Sequence, residues 1–130
     1  MARILLIDDD AGDQAIELGR GLEAEGHNVI FSGPGRQALS DVELVEYDLL
    51  VTDAIKTGVS GANIIRRARA CRPATPIVAT CERSGPISAN TVAQMARDLG
   101  ATHTVQRPLD ARYLARIISG LLNPERLLAA

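Results

Sequence analysis

The sequence is poor in aromatic residues: Phe, Tyr and Trp make up only 2% of its 130 residues, and Trp is missing. A surface that stacks nucleic-acid bases needs such rings, so this kind of binding is not expected. Lysine is almost as scarce. Lys56 is the only one, and every other cationic side chain of fixed charge is arginine. The net charge of -2 lacks the basic excess of a general nucleic-acid binder. No apolar run approaches the ~20 residues that cross a bilayer. The opening "MARILLIDDD" turns acidic straight after its short apolar run and has no small-residue cleavage pattern. These absences give the expectation of a cytoplasmic protein with no membrane partner. Cys71 and Cys81 form no CxxC, and a reducing compartment keeps them as thiols. His27 and His103 lie far apart, without the ligand spacing of a zinc site.

What is present is aliphatic. Hydrophobic residues account for 46% of the chain, enough for the core of one ordinary domain built from Ala, Val, Leu and Ile. Continuous apolar runs of strand length alternate with helical spacing. The strands are predicted at 3–7 ("RILLI"), 28–31 ("NVIF"), 47–52 ("YDLLVT"), 77–80 ("IVAT") and 102–105 ("THTV"). Between them, residues 11–25 place Ala15, Ile16, Leu18 and Leu22 at helical spacing, closed by Gly26. A second helix falls within "GPGRQALSDVELVE". Ser60 is the expected N-cap of a helix over 61–72 and Ser88 that of a helix ending at Leu99. A last helix follows Pro108, with Leu114, Ile117, Ile118, Leu121 and Leu122 as its apolar stripe. There is no internal repeat or linker, and the tail "NPERLLAA" is expected to fray.

Five strand–helix alternations in one small domain call for parallel strands with right-handed crossovers. The expected fold is α/β: a doubly wound five-stranded parallel sheet with helices on both faces. In such sheets the functional crevice lies beyond the carboxyl ends of the strands. Strand one ends in Asp8-Asp9-Asp10, strand three in Asp53, strand four in Thr80-Cys81, and strand five near Arg107-Pro108. Strand two ends in Ser32-Gly33 with no comparable group. Adjacent carboxylates repel unless a cation neutralises them. Asp8, Asp9 and Asp53 therefore suit a hard divalent ion such as Mg²⁺ that keeps coordination positions open for a phosphate oxygen. Simpler roles stand beside these. Asp53 could cap a turn, and Asp10 is best read as a helix cap. Thr80 could be a packed β-branched residue, and Arg107 a solvated charge.

Taken in order, "ILLIDDD", "LLVTDAIKTGVSG", "PIVAT" and "RPLD" resemble the receiver domain of bacterial two-component response regulators, a flavodoxin-like fold. The resemblance covers residues 2–122 as the domain and leaves 123–130 as a tail. It implies Asp53 as phospho-acceptor. Asp8, Asp9, Asp53 and the backbone carbonyl of Ile55 would be ligands of Mg²⁺, and Thr80 would contact the phosphoryl group; Arg107 would either contact phosphate, pair permanently with Asp53 and mimic part of the activated state, or be a lysine that simply drifted to arginine. It implies a histidine kinase or phosphotransfer protein as donor. It also implies a downstream protein partner reached through the face of helix 4, strand 5 and helix 5, leaves room for a homodimer, and makes the protein a signalling module rather than an enzyme. The short stretch after residue 122 gives the expectation of output without direct nucleic-acid contact.

The sequence departs from that family in several places. Arg107 stands where lysine is usual, and the two are not interchangeable. The peptide before Pro108 is cis in the family. Thr104 replaces the usual aromatic residue, Thr57 a proline and Cys81 a small alanine. The loop "CERSGPIS", 81–88, is about a helical turn longer than usual. Two other functions remain in play: a receiver that binds its partner without phosphorylation, motivated by Arg107, Thr104 and the long loop, and a phosphatase of the haloacid dehalogenase type built on Asp8 and Asp10. The run "IIRRARACR", 64–72, suggests either an acidic partner or a solvated helix face with Ile64, Ile65, Ala68 and Cys71 turned inward.

Overall fold

A computed structural model describes residues 2–7, 13–32, 36–54 and 61–123. The elements are β1 (Arg3–Ile7), α1 (Asp13–Ala24), β2 (Asn28–Ser32), α2 (Arg36–Leu44), β3 (Leu49–Asp53), α3 (Gly61–Cys71), β4 (Ile77–Cys81), α4 (Ala89–Leu99), β5 (His103–Gln106) and α5 (Ala111–Leu122). All strand pairs are parallel and the sheet order is β2-β1-β3-β4-β5, the expected doubly wound arrangement.

Strand alternation divides the core between two helical layers. Ile4, Leu6, Leu49, Val51 and Val78 face Leu18 and Leu22 of α1 and Leu114 and Ile118 of α5. Leu5, Ile7, Leu50, Ile77, Ala79 and Cys81 face α2, α3 and α4, including Val42, Ile65, Ala68 and Val92. Each fully buried Leu or Ile contributes about 1.5–3 kcal/mol by leaving water. Small residues on α4, Ala93 and Ala96, let that helix lie close to the sheet.

Capping defines the helix ends nearest the site. Ser88, extended at φ -69° and ψ 157°, accepts from the Thr91 backbone N–H. Asp110 does the same for α5 from Tyr113. Gly100, at φ 126°, closes α4 with its N–H on the carbonyls of Ala96 and Arg97. The expected cap Ser60 lies outside the described residues.

Several boundaries and orientations differ from the sequence reading. β3 begins at Leu49, not Tyr47, and runs through Asp53; β5 lies one residue later than expected. Tyr47 packs in the core with its hydroxyl donating to the Val42 carbonyl at 2.8 Å, which anchors it before the strand starts. Ile16 is exposed, because Ala15, Leu18 and Leu22 already complete the inward stripe of α1. Cys71, the last residue of α3, is exposed rather than turned inward. The end of α3 is closed instead by arginines. Arg69 donates to the carbonyls of Gly100, Arg72, Pro73 and Thr75. Arg72 lies 4.4 Å over the Tyr47 ring and donates to the Val45 carbonyl. Two of the four arginines in that run are thus internal clamps, not an acidic-partner patch.

Candidate functional site

The alternation that builds the core also aims the polar strand ends. Asp53 follows Leu49 and Val51 on the side of the sheet facing α1 and α5, and Thr80 follows Val78 on the same side. The register pairs Asp53 with Thr80 and Thr80 with Val105, and Arg107 lies two residues beyond Val105. Three chemically distinct side chains therefore meet at the carboxyl edge.

Asp53 Oδ1 is the meeting point. It accepts from the Thr80 hydroxyl and from Arg107 Nη2, the latter at 2.6 Å. Asp53 and Thr80 are buried at 6% and 4% exposure, while the Arg107 side chain keeps 18% of its surface in water. A buried carboxylate is costly to leave uncompensated, and here a guanidinium and a hydroxyl share that task. The Arg107 backbone N–H donates to the Cys81 carbonyl at 2.8 Å, so the residue is tethered to β4 just beyond Thr80. The Arg107–Pro108 peptide is cis. Leu6, Ala15, Leu18, Val51 and Leu109 form an apolar floor beside the polar groups. Leu109 was not singled out from the sequence; its place directly after Pro108 was the available signal.

Cys81 is buried beside this cluster. Burial pushes its thiol up from the ordinary value; Arg97 opposes that and the charge of Asp53 adds to it. The outcome is a packed thiol, not a thiolate. The long loop after β4 is locally ordered by an isolated bridge between Ser84 and Ile87, with Gly85 at φ 54° and Arg83 Nε donating to the Gly85 carbonyl. Thr104 occupies the middle of β5, and its hydroxyl accepts from Arg97 Nη1 at 2.9 Å. Gln106 donates to Asn90 at 2.5 Å, joining the end of β5 to the start of α4.

Of the expected site residues, Asp53, Thr80 and Arg107 come together. Asp8, Asp9 and Ile55, like Asp10 and Thr57, lie outside the described residues. Among the described residues there is no group of three His, Cys, Asp or Glu side chains able to hold a metal ion, and no helix is long and apolar enough to cross a membrane. Ser32, at the end of β2, is buried and donates to Asp41 Oδ2 at 2.6 Å, a tie between β2 and α2.

A sheet of order 2-1-3-4-5 with polar side chains gathered at its carboxyl edge defines the flavodoxin-like class of doubly wound domains. No family model matches the sequence. Curated relatives do. The transcriptional regulatory protein AfsQ1 of Streptomyces coelicolor is 33% identical over 128 residues, which is 97% of this chain and 54% of that protein. The transcriptional regulatory protein TcrA of Mycobacterium tuberculosis is 36% identical over 76 residues, 58% of this chain and 30% of that protein. The chain thus spans about half or less of the length of these two relatives. Among solved structures, a CheY-like response regulator receiver domain protein from Methanospirillum hungatei superposes with a TM-score of 0.80 at 22% identity, covering 97% of both chains. A receiver domain protein from Clostridium thermocellum gives 0.79 at 24% identity, covering 98% of this chain and 99% of that one. The chain has the fold of response regulator receiver domains, and its sequence is similar to transcriptional regulatory proteins over part of their length.

Proposed function

We propose that this receiver domain is a phosphorylation switch whose acceptor is Asp53. The observation that carries the reading is the convergence of a buried carboxylate, a hydroxyl and a guanidinium on one oxygen at the carboxyl edge of the sheet. A carboxylate oxygen of Asp53 forms a new bond to phosphorus. The bond between phosphorus and the imidazole nitrogen of a phosphohistidine donor breaks, and that nitrogen keeps the electron pair. Thr80 and Arg107 lie within reach of the incoming phosphoryl oxygens and offer donors to them. The rigid sheet holds the acceptor in place, which lowers the orientational cost of transfer.

Asp53 brings one buried oxygen of the type a hard divalent cation takes to the edge where β1 ends opposite Thr52. Asp8, Asp9, Asp53 and the Ile55 carbonyl would hold Mg²⁺. Its chemistry there is to neutralise charge on donor and acceptor. The donor partner is a histidine kinase or phosphotransfer protein, and output runs through protein contact at the face of α4, β5 and α5. The Arg97–Thr104 and Gln106–Asn90 bonds tie α4 to β5 and support that choice.

A second reading has its own support. Arg107 and Thr80 already engage Asp53 without a phosphoryl group, as a binding module that needs no phosphorylation would have them. Intact-protein mass after incubation with acetyl phosphate and Mg²⁺ separates the two. One added phosphoryl group, missing in Asp53→Asn, is the expected result. A folded protein that takes none refutes the switch.

A further inference from the structure

The amino-terminal edge of the sheet, opposite Asp53, holds a hydrogen-bonded trio. His27 stands just before β2, Glu25 just after α1, and Ser119 near the end of α5. The Ser119 hydroxyl donates to Glu25 Oε2, and Ser119 Oγ lies 3.0 Å from His27 Nε2. A hydroxyl has one proton, and an ionised carboxylate can only accept. That proton goes to Glu25, so Ser119 Oγ accepts from the imidazole and Nε2 carries the hydrogen. Nδ1 of the neutral ring is then a bare acceptor. It is buried and has no hydrogen-bond partner among the described residues.

A second proton on this ring can go only to Nδ1. There it makes a buried cationic N–H with nothing to receive it, and an unmet hydrogen bond costs most when the group is charged. The space beside the ring offers a way out. A cavity of about 620 Å³ is bordered by Glu25, His27, Asp48, Ser119 and Asn123, and no Lys or Arg lines it. The charges that share this cavity with His27 are of one sign: Glu25 from the turn after α1 and Asp48 from the approach to β3. The groups from α5, Ser119 and Asn123, are uncharged. Arg3, at the start of β1, is turned to Glu46 at 2.8 Å. The His27 backbone is pinned by its N–H on the Leu22 carbonyl at 3.1 Å, so only the ring needs to turn.

We infer that His27 is a proton-operated latch on the end of α5: neutral, it donates from Nε2 to Ser119 and holds the helix; protonated, its ring turns into the cavity toward the carboxylates and releases Ser119. The Ser119 carbonyl also accepts from the Asn123 N–H that closes α5, at 3.0 Å, so the latch bears directly on the last turn. Nothing in this device uses Asp53 or a phosphoryl group. It stands or falls apart from the phosphorylation reading.

Two measurements on the 130-residue chain test it, each made at about pH 8 and about pH 5, the span in which histidine changes charge. Nitrogen NMR of the labelled imidazole reads the tautomer and its protonation. Amide hydrogen exchange over residues 118–122, corrected for the intrinsic rate, reads the helix end. His27→Gln is the deciding variant, because its amide nitrogen reaches the place of Nε2 and donates to Ser119 without ever taking a proton. It also assigns the His27 signals against those of His103, the other histidine. The latch predicts the Nε2–H form at the higher pH. At the lower pH it predicts a protonated ring and a fall in protection of about threefold to tenfold, the worth of one ordinary hydrogen bond. Protection in His27→Gln should not fall. Ser119→Ala should show the lower protection at both pH values, and it decides the matter if His27→Gln does not fold. An Nδ1–H tautomer at the higher pH, a ring still neutral at the lower one, or unchanged protection in the unaltered chain overturns the latch. An equal fall in the unaltered chain and in either variant overturns it as well.

Discussion

Replacing Arg107 by Met removes the guanidinium and keeps an unbranched side chain over the apolar floor. Asp53, 6% exposed in the unaltered chain, then keeps Thr80 as the described donor to Oδ1. Breaking a fully buried ion pair by removing one partner costs about 3–5 kcal/mol. Two features reduce that here: the Arg107 side chain is 18% exposed, and the Thr80 hydroxyl stays in place. The expected cost is therefore about 2–3 kcal/mol. With Asp53→Asn already made there is no buried charge to strand, and the same Arg107→Met change should cost less than about 1 kcal/mol. The difference, a coupling of about 1.5–2 kcal/mol, lies within the range for residues in direct contact. Urea unfolding followed by far-UV circular dichroism reads it, because at about 1–3 kcal/mol per molar the single variant loses about 1–2 M in midpoint. Equal costs of Arg107→Met in the two backgrounds would refute the claim that the pair is a coupled, desolvated unit.

Two further outcomes follow from the core. Burial raises the pKa of both Cys81 and Tyr47 above their ordinary values of 9.0 and 10.0, so the folded chain holds those protons more tightly than the unfolded chain. Their stabilising contribution is complete below the unfolded values and is lost as pH rises through the folded ones. Urea midpoints should therefore fall between about pH 8 and pH 10.5, and fall less in Cys81→Ala and Tyr47→Phe; an unchanged decline in both variants would sink the assignment. Gly100 combines a φ of 126° with an approach that would put a Cβ 3.0 Å from Arg69 Cγ, on a side chain held by its carbonyl contacts. Gly100→Ala should cost about 1–3 kcal/mol and lower Tm by roughly 5–10 °C. Gly26→Ala, at φ 92° with open space around it, should cost less; a larger loss there would refute the role of Arg69.

The fold was legible in the sequence because the three central strands are almost wholly buried. "RILLI", "LLV" and "IVAT" have no polar face to hide, and a run of that length between helical patterns admits little but a parallel sheet covered on both sides. The crevice rule then named Asp53, Thr80 and Arg107 from their place at strand ends. Features set by contacts between distant segments were not legible. Helical spacing in "IIRRARACR" suggested an exposed basic face. Nothing local could reveal that Arg69 reaches across to the Gly100 carbonyl, or that Tyr47 lies under Arg72. Ile16 has the spacing of a core residue and is exposed, because the width of the apolar stripe depends on what packs against it.

The sequence by itself determined the order of elements, the two-sided core and the strand ends that carry chemistry, since these depend on hydrophobic period and turn residues along one chain. Only the tertiary structure decided that the Arg107 guanidinium and the Thr80 hydroxyl share a single oxygen of Asp53. That arrangement depends on register across three strands and on the tether of Arg107 to Cys81. A shift of one residue in any pair would turn one of those side chains to the opposite face of the sheet.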